Sequence, residues 1–341
     1  MRAAHLIEPG TIDIRTVPDP APGPGEIVVR VERALTCGTD LKAFRRGHPF
    51  IPMPGPFGHQ YAGTVAAIGA GVEAFEDAMP IWGVQSAPCG ECAPCAKGLF
   101  NLCRRLGQEM ALGAFAQLLL IPARVVKHNV MLRPLEMAPE RAAFLEPVSC
   151  VVHALELIDW RGVDRVLVLG LGAMGLLFTR LLPLYSQASV VGAGRNERRL
   201  DLARNGGLKH VLDVAAAPFS DQVSGDVSYD CVIECTGKES GWNTAFDIVR
   251  PGGQVLFFGG LPRGTTFGVD TYKLHYDETR LIGCFHFSPQ DVRRAAEHLA
   301  KEDVALGDLL TGEVALDGLE RALLDMESGV GIKYAVDPWT G

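Results

Sequence analysis

Four cysteines stand within fifteen residues, Cys89, Cys92, Cys95 and Cys103, in the run PCGECAPCAKGLFNLC. Two Cys-x-x-Cys steps let three thiolates converge on one tetrahedral ion, and the seven residues after Cys95 let the chain return with the fourth. Four protein ligands leave no coordination position open, so the chemistry expected here is structural zinc binding. The competing reading is a disulfide pair. Against it, the opening residues MRAAHLIEPG carry no apolar segment of the kind that signals secretion, so a cytoplasmic location with reduced thiols is expected. The cysteine total, nine, is odd, which suits thiols and metal ligands better than a fully paired framework. Pro88, Gly90, Pro94 and Gly98 favour tight turns between the ligands, so residues 86–106 read as a zinc-clamped lobe.

A second set of metal-ligand types is spread along the chain: Cys37 in ALTCGTDLK, His59 in PFGHQYAG and Glu146 in FLEPVSC. A thiolate, an imidazole and a carboxylate make a three-ligand set that leaves a catalytic zinc one position for water or a substrate oxygen. Taken singly, each has an ordinary alternative: a buried small hydrophobe, a satisfied core histidine and a helix-start carboxylate. Spacing alone does not link them.

A third set binds nucleotides. VLVLGLGAMG places Gly170, Gly172 and Gly175 between the apolar run RVLVL and the helix-length run AMGLLFTRLL. The first glycine turns the chain tightly, the second lets a pyrophosphate approach, and the third packs helix on strand. Ala173 and Met174 open that helix, where free amides hold an anion. The bland alternative is a glycine-rich turn with no ligand. Selection of NAD calls for an acidic residue about twenty positions on, at the end of the next strand. Here ASVVGAGRNERR puts Gly194 there, followed by Arg195, Arg198 and Arg199. With no carboxylate to repel a 2′-phosphate and guanidinium groups to pair with it, NADP(H) is favoured over NAD(H). The alternative is a solvated arginine face with less selective NAD binding.

Two kinds of scaffold must carry these residues. At 341 residues the chain is too long for one ordinary core and predicts two domains. Residues 1–150 hold short strand-like runs (Ala3–Ile7, Ile27–Arg33, Tyr61–Ile68, Phe115–Ile121) cut by DPAPGPGE and PMPGPFG, which predicts an irregular all-β domain. Over residues 151–288 β-branched runs alternate with helix-length segments, the pattern of a parallel α/β sheet with crossover helices. Residues 289–341 add two amphipathic helices and the strand-like KYAVD.

Composition excludes other classes. With 48% hydrophobic and 21% charged residues the chain is a folded protein, and a net charge of −8 with scattered basic residues argues against a nucleic-acid partner. The longest uncharged apolar stretch, 110–123, is too short for a bilayer and is broken by Gly113 and Pro122, so it reads as a strand pair or a strand plus turn, with no membrane segment.

The order CGTD, GH, four-cysteine lobe, LEP, GLGAMG resembles the zinc-containing medium-chain dehydrogenase/reductase family over nearly the whole chain, with its sorbitol and threonine dehydrogenase branches the nearest in motif. The later runs YDCVIECTG, RPGGQVLFFGG and LHYDETRLIG resemble its sheet domain. The resemblance implies a GroES-like β-barrel catalytic domain built from both chain ends around a Rossmann domain. It also implies two zinc ions per chain, one at Cys37, His59 and Glu146 and one in the lobe, and a homodimer or homotetramer acting on an alcohol and its ketone. Thr39 matches the family's proton-passing hydroxyl and Asp40 the carboxylate that orients the ligand histidine; both also suit a helix start.

Three positions depart from the pattern. Gln60 replaces the usual glutamate after the ligand histidine, and a neutral amide ligates zinc poorly while leaving the centre less anionic. Lys42 lies where a histidine often forms the relay's outlet, and His286 resembles the position of a pocket arginine, so Gln60 and His286 are candidates for lining the substrate pocket. Arg45, Arg46 and His48 follow Lys42; they either favour an acidic substrate or form a solvated basic loop. A silent nucleotide-binding protein and a zinc-independent reductase remain the other function classes.

Overall fold

Strands that are apolar on both faces demand cover on both faces, and Arg165–Leu169 and Tyr229–Glu234 are buried at nearly every position. In the computed structural model, which describes residues 1–217, 219–222 and 228–341, the chain forms two compact units. One comprises Met1–Ser149 with Phe287–Gly341, the other Cys150–His286.

The second unit holds a six-stranded sheet. Its strands, in chain order, are β1 (Arg165–Leu169), β2 (Ser189–Gly194), β3 (His210–Asp213), β4 (Tyr229–Glu234), β5 (Val249–Phe257) and β6 (Arg280–Gly283). All pair in parallel, in the order β3-β2-β1-β4-β5-β6. This is the doubly wound order, and its strand sequence reverses between β1 and β4, where such sheets open a crevice at their carboxyl ends. Leu167, Val191, Val232 and Val255 fill one core cluster, in which Trp242 stacks on Phe257 with ring centroids 4.0 Å apart.

The first unit is mostly antiparallel. Its seven-stranded sheet runs Gly312–Ala315, Tyr334–Asp337, Ile27–Leu35, Tyr61–Ile68, Pro80–Gly83, Val130–Leu132, and Leu118–Ile121 pairs with Ile27–Leu35 as well. A three-stranded sheet joins Thr11–Thr16, Arg2–Glu8 and Gly55–Pro56. Leu6, Phe44, Phe57, Phe115, Leu319 and Val336 share one core, so both chain ends contribute to it. Of the apolar stretch 110–123, only Leu118–Ile121 forms a strand; the run is a strand plus turns, because Gly113 takes a positive φ of 108° and Pro122 ends the ladder.

One pairing matters for the site. Tyr334–Asp337 lies antiparallel to the end of Ile27–Leu35, with Ala335 opposite Leu35, and this brings Lys333 beside Thr36, just before Cys37. Among the described residues no helix is long and apolar enough to cross a membrane.

Candidate functional site

Cys37 sits at the N-cap of the helix Gly38–Arg46, where its Sγ accepts from the Thr39 N–H at 3.5 Å. The fully buried Asp40 closes the cap from the other side and does two things at once. Its Oδ2 accepts from the Cys37 N–H at 2.9 Å, and its Oδ1 faces His59 Nδ1 at 3.0 Å. With Nδ1 committed to Asp40, the other ring nitrogen is left for Cys37, to whose thiol the imidazole is also hydrogen-bonded. Burial pulls the imidazolium of His59 down, but the charge and hydrogen bond of Asp40, helped by Cys37, hold its pKa well above the ordinary value. Burial pushes the Cys37 thiol up, and the hydrogen bond and charge of His59 with the charge of Lys333 overcome it, so this pKa falls. A low-pKa thiol beside an oriented imidazole is a pair that could ligate a metal.

Glu146 lies in the first turn of the helix Leu145–Glu156. Gln60 Nε2 donates to its Oε2 at 2.6 Å and Gln85 Nε2 to its Oε1 at 3.2 Å. Gln60 in turn accepts, through Oε1, from Lys333 Nζ at 2.5 Å, and the same ammonium donates to the Thr36 carbonyl at 2.5 Å and faces the Phe144 ring at 5.7 Å. Lys333 is only 2% exposed. Burial draws its pKa down against the opposing pull of Cys37, Glu146 and Asp40, which places its charge close to all three. The donor types, a thiol, an imidazole and a carboxylate, fit zinc.

The lobe fits zinc more closely. Among the described residues, Cys89, Cys92, Cys95 and Cys103 form the one group whose ligand atoms all lie within 4.8 Å of one another. Cys92 Sγ is 3.5 Å from Cys95 Sγ and 3.8 Å from Cys103 Sγ. Zinc–sulfur bonds of about 2.3 Å at tetrahedral angles demand sulfur separations of about 3.8 Å. The Cys89 and Arg105 N–H groups point at Cys103 Sγ at 3.3 and 3.4 Å, and backbone N–H groups lower the Cys92 thiol to about 6. Amides aimed at sulfur favour thiolates, the form that binds metal.

The nucleotide turn has the geometry its glycines require. Gly170 adopts φ of 100°, and a Cβ on Gly175 would stand 1.9 Å from the Gly170 carbonyl oxygen. Gly172, the N-cap of the helix Ala173–Leu181, would meet nothing within 4 Å, so a phosphate has room to approach the free amides of Ala173, Met174 and Gly175. Gly194 ends β2, and Arg195 beyond it is exposed while Arg199 is half-buried, its pKa lowered by that burial. The turn therefore fits a dinucleotide, and no carboxylate ends β2.

Two family models match the chain, one described as the alcohol dehydrogenase GroES-like domain over residues 23–130, the other as a zinc-binding dehydrogenase over residues 173–301. The chain belongs to the zinc-containing medium-chain alcohol dehydrogenase family. Its β-rich unit is that family's GroES-like unit and its parallel sheet the Rossmann unit. The L-threonine 3-dehydrogenase of Mesorhizobium japonicum is 29% identical over 338 residues, 97% of this chain and 96% of that protein. A zinc-binding dehydrogenase of Sinorhizobium meliloti 1021, solved with NADP bound, matches with a TM-score of 0.89 and 29% identity over 99% of both chains. Galactitol-1-phosphate dehydrogenase of Escherichia coli has the same fold, with a TM-score of 0.86 and 22% identity over 99% of this chain and 100% of that one.

In this dehydrogenase chain Cys37, Thr39, Asp40 and His59 are gathered at one helix start, with Glu146 and Gln60 joined to each other. Lys42 is exposed on the same helix. Gln60 has no exposed surface; wedged between Lys333 and Glu146, it supports a candidate ligand instead of facing solvent. His286 belongs to the other unit, at a φ of 63° beside Phe285. Sequence reasoning missed Lys333 and Gln85. The signal for Lys333 was a lysine between Ile332 and Tyr334 at the start of an otherwise apolar strand, a position where a charge needs partners.

Proposed function

We propose that this chain is a cytoplasmic, NADP(H)-preferring dehydrogenase of a secondary alcohol or polyol and its ketone, a homodimer or homotetramer holding two zinc ions per chain. The observation that carries the reading is the Cys37–His59–Asp40 cluster, in which one buried carboxylate both caps the helix bearing the thiol and orients the imidazole.

Cys37, His59 and Glu146 would hold the catalytic zinc, and the four lobe cysteines the structural one. Gly170, Gly172 and Gly175, with the amides of Ala173 and Met174, would hold the dinucleotide. The chemistry these groups supply when bound is Lewis acidity at the alcohol oxygen and a hydride acceptor at its carbon. Thr39, two residues past the thiol, would relay the alcohol proton, its Oγ1 accepting it while its own hydroxyl proton passes on, and Lys42, one turn further along the helix, stands beside the path by which that proton leaves. Gln60 bears on the substrate side through Glu146, and a pocket role for His286 rests on the family resemblance alone. Gly194, Arg195 and Arg199 favour the 2′-phosphate, and the NADP bound to the Sinorhizobium meliloti relative supports that preference.

The experiment is metal analysis of the wild type and of Cys37→Ser, with NADP⁺ and NAD⁺ reduction measured over an alcohol panel. Two zincs falling to one, turnover falling at least about 10³-fold and NADP⁺ preferred are expected. One zinc in the wild type and no turnover with any alcohol would leave a silent nucleotide binder.

A further inference from the structure

The helix that begins at Cys37 carries more than the cap. Its buried face is Asp40, Ala43 and Phe44. At 100° per residue, Thr39, Lys42 and Arg46 fall on one different stripe, spaced three and then four residues apart. Lys42 and Arg46 are exposed, and among the described residues neither has an acidic partner within salt-bridge distance. Their neighbour Arg45, which points elsewhere, is neutralised by Glu327. Two unneutralised cations therefore lie about 4.5 and about 10.5 Å along the helix axis from the hydroxyl proposed to take the substrate's proton.

His48 joins them. Gly47, at a φ of 80°, ends the helix, and the chain folds back through the His48–Ile51 bridge. Asp40, the buried acid on the same helix, is already bonded to His59, and His48 lies two residues past Arg46 at the end of this helix. Its Nδ1 accepts from the Phe50 N–H at 3.3 Å, which leaves Nε2–H as a donor. Burial lowers the pKa of His48, with the Lys42 and Arg46 charges acting in the same direction, so this donor is neutral. An ammonium and a guanidinium that make no ion pair among the described residues, with a ring N–H at the end of the same helix, are the recognition set for a carboxylate or phosphate.

We infer that the substrate is an alcohol bearing an anionic group, carboxylate or phosphate, held by Lys42, Arg46 and His48 while its hydroxyl carbon lies at the Cys37–His59 end of the stripe. This rests on the dehydrogenase reading above and narrows its substrate class.

The test compares the zinc- and NADP⁺-loaded wild type with Arg46→Gln and, as control, Arg45→Gln, on D-sorbitol, D-sorbitol 6-phosphate and D-gluconate. The expected result is a kcat/KM for at least one anionic alcohol above that for sorbitol, reduced roughly 10- to 100-fold by Arg46→Gln through KM, as loss of a charged hydrogen bond requires. Activity on sorbitol, and all activity of Arg45→Gln, should stay unchanged. Which anion gains distinguishes phosphate from carboxylate. Equal wild-type efficiency on neutral and anionic alcohols, or equal loss on both in Arg46→Gln, overturns the inference. Calorimetric titration of the same two anions in the presence of NADP⁺ separates it from the dehydrogenase reading. Arg46-dependent binding without turnover would keep anion recognition and sink the reaction, whereas absence of binding would overturn the recognition itself.

Discussion

In the lobe, four candidate ligands come from fifteen consecutive residues, and the backbone N–H groups that point at Cys103 Sγ belong to Cys89 and Arg105, within or beside the same run. At the proposed catalytic centre Cys37, His59 and Glu146 come from three distant segments and are held by other side chains: Asp40 on both Cys37 and His59, Gln60 and Gln85 on Glu146, Lys333 behind Gln60. A local site is organised by its own loop, so metal and loop stand or fall together. A non-local site is organised by the fold, so its ligands hold their places through neighbours that can be altered one at a time.

Cys95→Ser should separate the two most sharply. Cys95 is 5% exposed inside the lobe's own small cluster with Cys103 and Leu106, which has little apolar area apart from the ligands. Structural zinc sites of this type contribute on the order of 10 kcal/mol to local folding. The expected outcome is loss of one zinc per chain, proteolytic cleavage confined to residues 86–106, and a second zinc retained at the Cys37 centre. Metal analysis together with mass mapping of the cleavage sites checks it; an intact, protease-resistant lobe in this variant would show that the loop organises itself without metal.

This contrast also explains what the sequence disclosed. The lobe and the nucleotide turn are written within short windows, where cysteine spacing or glycine spacing next to an apolar run carries the meaning. The parallel sheet was legible for the same reason, since RVLVL and YDCVIE are apolar whichever face is counted. The Cys37 centre was readable only through family resemblance, because nothing local ties Cys37 to Glu146. Lys333 was not read at all. Its partners Thr36 and Gln60 lie nearly the whole chain away, and only the pairing of Ala335 with Leu35 brings them together. Gln60 illustrates the limit of residue type alone: its amide suggested a pocket residue, while its burial makes it a bridge between a cation and a carboxylate.

That bridge gives the next prediction. Lys333→Met keeps most of the buried stem but removes the ammonium, leaving Gln60 Oε1 and the Thr36 carbonyl without this donor and Glu146 without its nearby charge. Stranding buried acceptors in this way costs about 2–4 kcal/mol. Chemical denaturation should show that loss, with lobe zinc unchanged and zinc at the Cys37 centre bound more weakly. Unchanged stability would mean that water or a shift of Gln60 replaces the lysine, and that the second centre is less dependent on the fold than its hydrogen bonds suggest.

The smallest change tests the smallest link. Asp40→Asn is nearly isosteric, yet an amide offers one acceptor oxygen where Asp40 uses two, one for the Cys37 N–H and one for His59 Nδ1. Whichever way the amide is turned, its NH₂ faces either a backbone donor or the ring nitrogen. In either orientation the helix Gly38–Arg46 loses a negative charge in its first turn; if the amide turns from the backbone the helix also loses a capping bond, worth about 1 kcal/mol. If it turns from the histidine, the cap survives, and the imidazole loses its orienting charge. Loss of such a partner weakens metal binding roughly 10- to 100-fold. Thermal melts of the metal-free protein report the first route and competition with a chelator the second, so the pair of measurements shows which of its two bonds Asp40 can least spare. A variant altered in neither would separate the carboxylate from both tasks, leaving the thiol and imidazole to be placed by packing alone.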